Sequence, residues 1–232
     1  MIGILGGMGT QAGLDFCNKL AVINRGKSDQ KYPLFILYNK SNIPKRTENL
    51  KKYHNVLKSL INGCKLLQKN KCKFIVMPCN TAHYWHNDLQ KKIKIPIISM
   101  PKEVYLHTKK TCKKNSKIGI LCTEATLKTN VYGKYFNKNF ILVSPTKSLQ
   151  TNSVNKAIKY VKLGKVREAE KAIKPAVNHL IKIKCKKIIL GCTELPIAIF
   201  AYKSFKKIKE SKIFIDPNLL LANVSMKKYK SL

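Results

Sequence analysis

Two cysteines, each placed just after a buried strand, are the residues of this sequence best suited to chemistry. Residues 74–77 form an apolar run, and Cys79 follows where the pattern changes from strand to helix. Residues 187–190 form a second apolar run, and Cys192 follows it in the same way. Backbone N–H groups at a helix start are unpaired and carry partial positive charge. We therefore expect the thiolate form of a cysteine to be favoured at these positions.

The two cysteine segments are copies of one pattern. Cys72 and Cys79 flank the first strand with the same spacing that separates Cys185 from Cys192 around the second. Ile-Gly-Ile-Leu also occurs twice, at residues 2–5 and 118–121, as an apolar run typical of a buried strand. The repetition predicts two related halves.

Strand-like and helix-like segments alternate along the chain, which predicts an α/β fold with parallel sheets. We expect two similar lobes, each a mostly parallel sheet flanked by helices, related by pseudo-two-fold symmetry. The predicted lobes are residues 1–100 and 101–209, and the tail at 210–232 is expected to pack back on the first lobe.

Four local features are also predicted. A long amphipathic helix is expected to open at residues 45–47, and another to run from about 81 to 92. Residues 95–98 are predicted to form a short strand. Pro175 is expected to kink or split the helix at 165–183, because proline cannot donate to the helical hydrogen-bond ladder.

The net charge of +35, from 46 basic and 11 acidic residues, raises the hypothesis of a non-catalytic, nucleic-acid-associated protein. The lysines are spread over the whole chain, however, without an arginine cluster or an interleaved aromatic stripe. That pattern favours a general compositional bias, such as an A+T-rich genome imposes. A positive field would still attract small anionic substrates.

The other cysteines and the lengths of the apolar segments indicate whether the protein binds metal, forms disulfides or associates with a membrane. There is no CxxC pair and no zinc-like spacing, so no metal site is predicted. We find no signal-like leader and no apolar run as long as a membrane span, so we expect a reducing cytoplasm and no membrane association. The six cysteines other than Cys79 and Cys192 are then expected to fill core positions.

Ligands of α/β sheets bind outside the carboxyl ends of the strands, where both Cys79 and Cys192 are predicted to lie. If the halves face each other, one thiolate could take a proton from a substrate carbon and the opposite thiol could return one to the other face. Asn80, Thr81 and Thr193 could hold the substrate carboxylate.

Other interpretations of the same residues stay open. The cysteines could be buried fillers, or Cys79 could be a hydrolase nucleophile with His83, one helical turn away, as its base. No histidine follows Cys192 in the same way, which favours a pair of equivalent groups. Residues 6–9 are an anion-binding turn or simply a tight turn that needs glycine, since the full GxGxxG pattern is absent. Arg46 is either a planar fork for a carboxylate or a solvated residue at a helix start.

Residues 2–9, 78–83 and 190–195 resemble the aspartate/glutamate racemase superfamily, and specifically its aspartate racemase branch. The glutamate branch carries Asp-Ser after the first strand and His after the second Cys-Thr, where this chain has Gly6, Gly7 and Glu194. The resemblance implies racemisation without pyridoxal phosphate or another cofactor, with Cys79 and Cys192 as the acid/base pair. Lys45 and Glu124 depart from the family pattern, which leaves glutamate or a broader set of amino acids as alternative substrates.

The resemblance also implies the substrate and its contacts. The substrate would be a small acidic amino acid, and the enzyme a homodimer. Arg46 matches the residue that binds the side-chain carboxylate, and Lys162, just before Gly164, matches the substrate lysine. A lysine in the last turn of a helix is also common on a surface. The implied substrate-binding residues are Arg46, Thr47, Asn80, Thr81, Ala82, Lys162 and Thr193.

Overall fold

The computed structural model describes residues 1–23, 28–46, 48, 52–201, 205 and 212–232. The chain divides into two compact units, one formed by residues 1–103 with 218–232 and the other by residues 104–217. Each unit is built on its own parallel sheet.

The helices of the described residues flank these sheets. In chain order they are α1 (Thr10–Ile23), α2 (Tyr53–Lys69), α3 (His86–Lys92), α4 (Met100–Thr111), α5 (Glu124–Lys128), α6 (Gly133–Phe136), α7 (Lys147–Leu149), α8 (Lys156–Lys162), α9 (Val166–Lys182), α10 (Leu195–Phe200) and α11 (Pro217–Lys230), with 3₁₀ turns at Asp29–Lys31 and Thr81–Trp85 and a π-helical segment at Gln150–Asn155. In the part of the chain that the structure covers, no helix combines the length and apolar character needed to cross a membrane.

The sheet of the first unit has the order β2-β1-β3, with β1 at Ile2–Gly6, β2 at Phe35–Asn39 and β3 at Phe74–Val76. Both strand pairs are parallel. The predicted strand at 95–98 is wrong: a single parallel bridge joins Ile97 to Ile75. Pro96 lacks an N–H, and the Gln90 and His86 side chains occupy the outer N–H and carbonyl of Ile97.

The sheet of the second unit has the order β5-β4-β6-β7. Its strands are β4 (Lys117–Cys122), β5 (Ile141–Val143), β6 (Lys187–Gly191) and β7 (Phe214–Ile215), and all the pairs are parallel. In both units the first strand is central, and the strand that leads to Cys79 or Cys192 is its neighbour. The predicted α/β fold, with two parallel sheets flanked by helices, is confirmed.

The C-terminal tail is shared between the two units. β7 pairs with β6 and belongs to the second unit, so the expected tail boundary at residue 210 lies too early. The tail packs on the first unit through α11, whose Leu221, Ala222 and Met226 join the cluster of buried residues that contains Ile4 and Phe16.

The two halves repeat in the details of their packing as well as in strand order. The α2 and α9 helices end in the same left-handed cap, with Lys71 at φ 60° and Lys184 at φ 63°. After each cap, a cysteine N–H bonds back into the helix: Cys72 to the Leu67 carbonyl at 3.3 Å and Cys185 to that of Leu180 at 3.1 Å. This is the hydrogen-bond pattern of the Schellman motif.

The core-filling role predicted for six cysteines holds for four of them. Cys64, Cys72, Cys122 and Cys185 are buried free thiols, whereas Cys17 and Cys112 are partly exposed. Cys72 packs against Gly3 of β1, where an added Cβ would lie 3.2 Å from its sulfur. Cys185, which follows α9, packs against Gly119 of β4 in the same way: a Cβ added at Gly119 would lie 3.4 Å from its sulfur.

Two predicted helices differ from the expectation at their first turns. The helix expected to open at residues 45–47 is α2, which begins at Tyr53, while Arg46 lies in a turn with its side chain folded back onto backbone carbonyls. The helix expected from residue 81 begins as the 3₁₀ turn, because the His83 N–H bonds to the Asn80 carbonyl three residues earlier.

Pro175 does not split α9. The hydroxyl of the buried Ser153 sits at the break in the ladder, where it accepts the N–H of Ala176 at 3.3 Å and donates to the carbonyl of Ala172. A side chain from the π-helical segment thus satisfies the groups that α9 leaves unpaired beside its proline.

Candidate active site

The first cysteine lies in a buried turn at the end of β3. The Cys79 N–H donates to the Met77 carbonyl at 2.7 Å, which closes a tight turn around Pro78. Cys79 is 6% exposed, and three predicted substrate residues that follow it, Asn80, Thr81 and Ala82, are buried as well. The Cys79 N–H is therefore committed to the turn.

His83 holds this turn in place. Its Nδ1 lies 2.9 Å from the carbonyl oxygen of Cys79, and its Nε2 accepts the N–H of Met100 at 3.1 Å. Because a carbonyl can only accept, Nδ1 carries the proton and Nε2 is the bare nitrogen. The fully buried ring bonds to the backbone of Cys79 through its proton-bearing nitrogen, so the geometry does not support His83 as the base of a hydrolase.

Arg46 bonds to the glycine-rich turn of the first unit. Its guanidinium donates to the Met8 carbonyl at 2.6 Å and, more weakly, to the carbonyls of Ile43 and Pro44 at 3.4 and 3.3 Å. Arg46 is half-buried, and its buried Nε has no hydrogen-bond partner among the residues that the structure describes. It is therefore not a solvated helix-start residue.

The glycine-rich turn needs glycine for steric reasons. Gly7 has φ +84°, and a Cβ there would lie 2.2 Å from the carbonyl carbon of Lys40. This contact favours the tight-turn interpretation of residues 6–9.

The second cysteine is hydrogen-bonded to a carboxylate. The Cys192 thiol donates to Oε2 of Glu194 at 2.9 Å, and the Thr193 hydroxyl donates to the same oxygen at 3.3 Å. The Lys162 ammonium lies 3.7 Å from the other oxygen, Oε1. The second unit thus brings together three predicted site residues, Lys162, Cys192 and Thr193, around Glu194.

This environment reverses the expected ionisation of Cys192. Burial raises the pKa of the thiol well above its usual value, and the negative charge and hydrogen bond of Glu194 raise it further, while Lys162 lowers it. The partial charge at the start of α10 does not outweigh burial beside a full negative charge. Cys192 is a thiol at neutral pH, and the expectation of a favoured thiolate is wrong for this residue.

Two neighbours of Cys192 were not predicted as site residues. One is Glu194, which the sequence shows only as a departure from the glutamate branch. The other is Tyr132, a fully buried residue whose pKa is raised well above its usual value, chiefly by burial and further by its interactions with Cys122, Asp216 and Cys192. A carboxylate two residues from a candidate cysteine was an available signal for Glu194, but Tyr132 had no comparable one.

A polar chain lies at the end of β4, the strand beside β6. Gln150, in the π-helical segment, donates to the Cys122 carbonyl and to the Asn155 side chain, both at 2.9 Å, and Asn155 donates to Glu124 at 3.0 Å.

Thr47, the remaining predicted substrate residue, lies outside the described residues. Among those residues, no cluster of three or more potential metal ligands is present.

The family model for Asp/Glu/hydantoin racemases matches residues 5–224. The chain belongs to this family. The aspartate racemase of Picrophilus torridus is 29% identical and superposes with a TM-score of 0.83, covering 99% of this chain and 94% of that one. The recognition from sequence of the racemase superfamily and its aspartate racemase branch is thus confirmed.

Two curated relatives are racemases that are named for substrates other than aspartate alone. The broad-specificity amino-acid racemase RacX of Bacillus subtilis is 27% identical over 202 residues, which are 84% of this chain and 86% of that protein. A glutamate racemase of a Carnobacterium strain is 33% identical over 141 residues, 57% of this chain and 48% of that enzyme.

Proposed function

We propose that this racemase-family protein interconverts L- and D-aspartate without a cofactor, by proton transfer between Cys79 and Cys192. The observation that carries the proposal is the equivalent position of the two cysteines: each follows the strand beside the central strand of its own parallel sheet. The carboxyl ends of such strands are where α/β proteins bind their ligands.

The two thiols would take opposite parts in each turnover. With Cys79 as thiolate and Cys192 as thiol, Cys79 removes the α-proton and Cys192 donates its proton to the opposite face of the carbanion. This leaves Cys79 as thiol and Cys192 as thiolate, the state that converts the other enantiomer. The hydrogen bond from Cys192 to Glu194 supports Cys192 as the proton donor of the resting enzyme.

The remaining predicted residues would bind the charged groups of the substrate. Asn80, Thr81, Ala82 and Thr193 would surround the α-carboxylate, whose negative charge grows as the proton leaves. Arg46, Thr47 and Lys162 would bind the side-chain carboxylate, which favours aspartate over neutral amino acids.

Exchange of the α-hydrogen in D₂O tests the division of labour. We expect Cys79→Ala to lose exchange from one enantiomer of aspartate and Cys192→Ala to lose it from the other, while both lose racemisation. Cys72→Ala and Cys185→Ala are matched controls, because they are the corresponding buried cysteines before the same two strands. Racemisation at the wild-type rate by either Cys79→Ala or Cys192→Ala would refute the mechanism.

The second candidate is a racemase of broader specificity, favoured by the similarity to RacX over most of both chains. A D₂O exchange screen of acidic and neutral amino acids separates the candidates. Exchange confined to aspartate supports our proposal, exchange of glutamate alone assigns the glutamate activity, and exchange across neutral amino acids assigns broad specificity. Membership of a racemase family favours all of these over a non-catalytic nucleic-acid-binding role.

A further inference from the structure

Lys162 is bound loosely to Glu194. Its ammonium approaches one carboxylate oxygen at 3.7 Å, and its side chain is 60% exposed, whereas that of Glu194 is 11% exposed. A well-formed ion-pair hydrogen bond is shorter, about 2.7–2.9 Å. Only the lysine end of the pair is exposed, and its contact is longer than such a bond, so the ammonium can turn to a second anion without giving up a short hydrogen bond.

The carboxylate that Lys162 neutralises is also the acceptor of the Cys192 proton. Oε2 of Glu194 binds the thiol at 2.9 Å, while Oε1 faces Lys162. If the lysine leaves, the thiol is next to a negative charge that no longer has its counter-ion. Ionisation of the thiol then becomes harder, in agreement with the opposite effects of Glu194 and Lys162 on its pKa.

We propose that Lys162 pairs with two anions in turn, Glu194 in the empty site and a substrate carboxylate in the occupied site, so that an acidic substrate itself tightens the hold of Glu194 on the Cys192 proton. This rests on the proposed function, because it takes the substrate to be an anionic amino acid that reaches Lys162.

This change of ion-pair partner gives Lys162 a second role besides attracting the substrate: it controls how readily Cys192 ionises. While it is bound to Glu194, the lysine eases the ionisation of Cys192; while it is bound to substrate, the thiol keeps its proton until a carbanion forms to accept it. A neutral amino acid has no side-chain carboxylate with which to draw the lysine away. The same ion pair would therefore link substrate charge to the protonation of the thiol.

The test measures ionisation of Cys192 directly. The rate of alkylation by iodoacetamide is followed against pH, with the Cys192 peptide quantified by mass spectrometry. Succinate serves as a dicarboxylate that cannot racemise, and calorimetry establishes the concentration that saturates each protein. The variants are Lys162→Met and Glu194→Gln, with Lys165→Met as a control for loss of a nearby exposed lysine.

In wild-type protein we expect saturating succinate to move the alkylation midpoint of Cys192 to higher pH. Lys162→Met without ligand should show the same displacement, with alkylation at a fixed pH below the midpoint reduced by roughly three- to tenfold, or about half to one pKa unit. Succinate should then have no further effect on this variant, nor on Glu194→Gln, and Lys165→Met should behave as wild type.

Three results would overturn the proposal. One is a Lys162→Met midpoint equal to that of the wild type, whether or not succinate binds. Another is an equal succinate response in Lys162→Met, which would show that the bound anion acts on the thiol directly. The third is absence of succinate binding to the wild type. Alkylation requires no turnover, so loss of racemisation with these displacements intact would count against the proposed function alone.

Discussion

The sulfur of Cys192 lies 2.9 Å from the Glu194 carboxylate, to which the thiol donates a hydrogen bond. The glutamate is buried with it, and its other oxygen faces the exposed Lys162. A thiol in this position is a proton donor at neutral pH and, once it has given up its proton, a strong base. The two cysteines of the family motif therefore differ in surroundings, since Cys79 lies in a turn whose backbone is bonded to a histidine.

Glu194→Gln should lower the pKa of the Cys192 thiol. The amide oxygen can still accept the S–H, but the negative charge that disfavours the thiolate is gone, so ionisation should occur at lower pH than in the wild type. Thiolate absorbance or the pH dependence of alkylation measures the displacement. Glu168→Gln, at an exposed position of α9, is the matched control, and an unchanged Cys192 midpoint in Glu194→Gln would contradict the prediction.

Arg46→Leu should raise KM for aspartate about 10- to 100-fold, the range expected for loss of a charge-assisted hydrogen bond worth roughly 1.5–3 kcal/mol. Part of the effect would come from the glycine-rich turn, since the Met8 carbonyl loses its donor. Steady-state kinetics with both enantiomers measures it, and the exposed Arg167→Leu serves as control. An unchanged KM would argue against a role of Arg46 in substrate binding.

His83→Ala should destabilise the protein by about 2–4 kcal/mol, because it leaves the buried Met100 N–H without its acceptor and opens a cavity. Denaturant unfolding measures the loss, and the exposed His54→Ala should be close to wild type. If instead activity disappeared while stability was unchanged, His83 would have a direct chemical role.

Lys71→Gly and Lys184→Gly should each stabilise the protein by roughly 1 kcal/mol. Both lysines adopt a positive φ, which costs an L-residue with a side chain about 1–2 kcal/mol relative to glycine. Lys65→Gly is the control: this exposed lysine lies inside α2, where glycine should cost about 1 kcal/mol instead. Equal effects at positions 65 and 71 in thermal unfolding would contradict the strain argument.

Leu221→Ala should cost about 2–5 kcal/mol of unfolding free energy, as expected for truncation of a fully buried leucine. The loss would show that α11 is part of the core of the first unit. Leu219→Ala, two residues away and 42% exposed, should change stability by less than about 0.5 kcal/mol. Urea unfolding of the two variants side by side makes the comparison.

The sequence was most informative where a pattern has a simple period. Apolar runs and their alternation with amphipathic segments gave the α/β fold, and the repeated cysteine spacing gave two related halves, because strands and helices follow local periodicity. The features that were mispredicted depend on side chains that other elements supply. The Ser153 hydroxyl maintains α9 beside Pro175, and side chains of α3 occupy the outer backbone of Ile97.

In the candidate site, too, the sequence indicated which residues matter but not how their side chains interact. Cys79 and Cys192 could be selected from their position after strands, and Lys162 and Thr193 fall beside the second of them. The ionisation of Cys192 could not be derived in this way, because it depends on which side chain faces the sulfur and on how much water remains. A helix start predicts a thiolate, whereas a buried carboxylate at 2.9 Å favours the thiol.

The path of the chain through the first unit has a consequence for biosynthesis. Residues 1–103 are translated before residues 104–217, but their core includes Leu221, Ala222 and Met226, which are translated after both. Residues 104–217 are complete before then. The unit whose first segment is translated earlier is therefore the unit whose core is completed later, and part of its interior stays uncovered until residues 218–232 have been made.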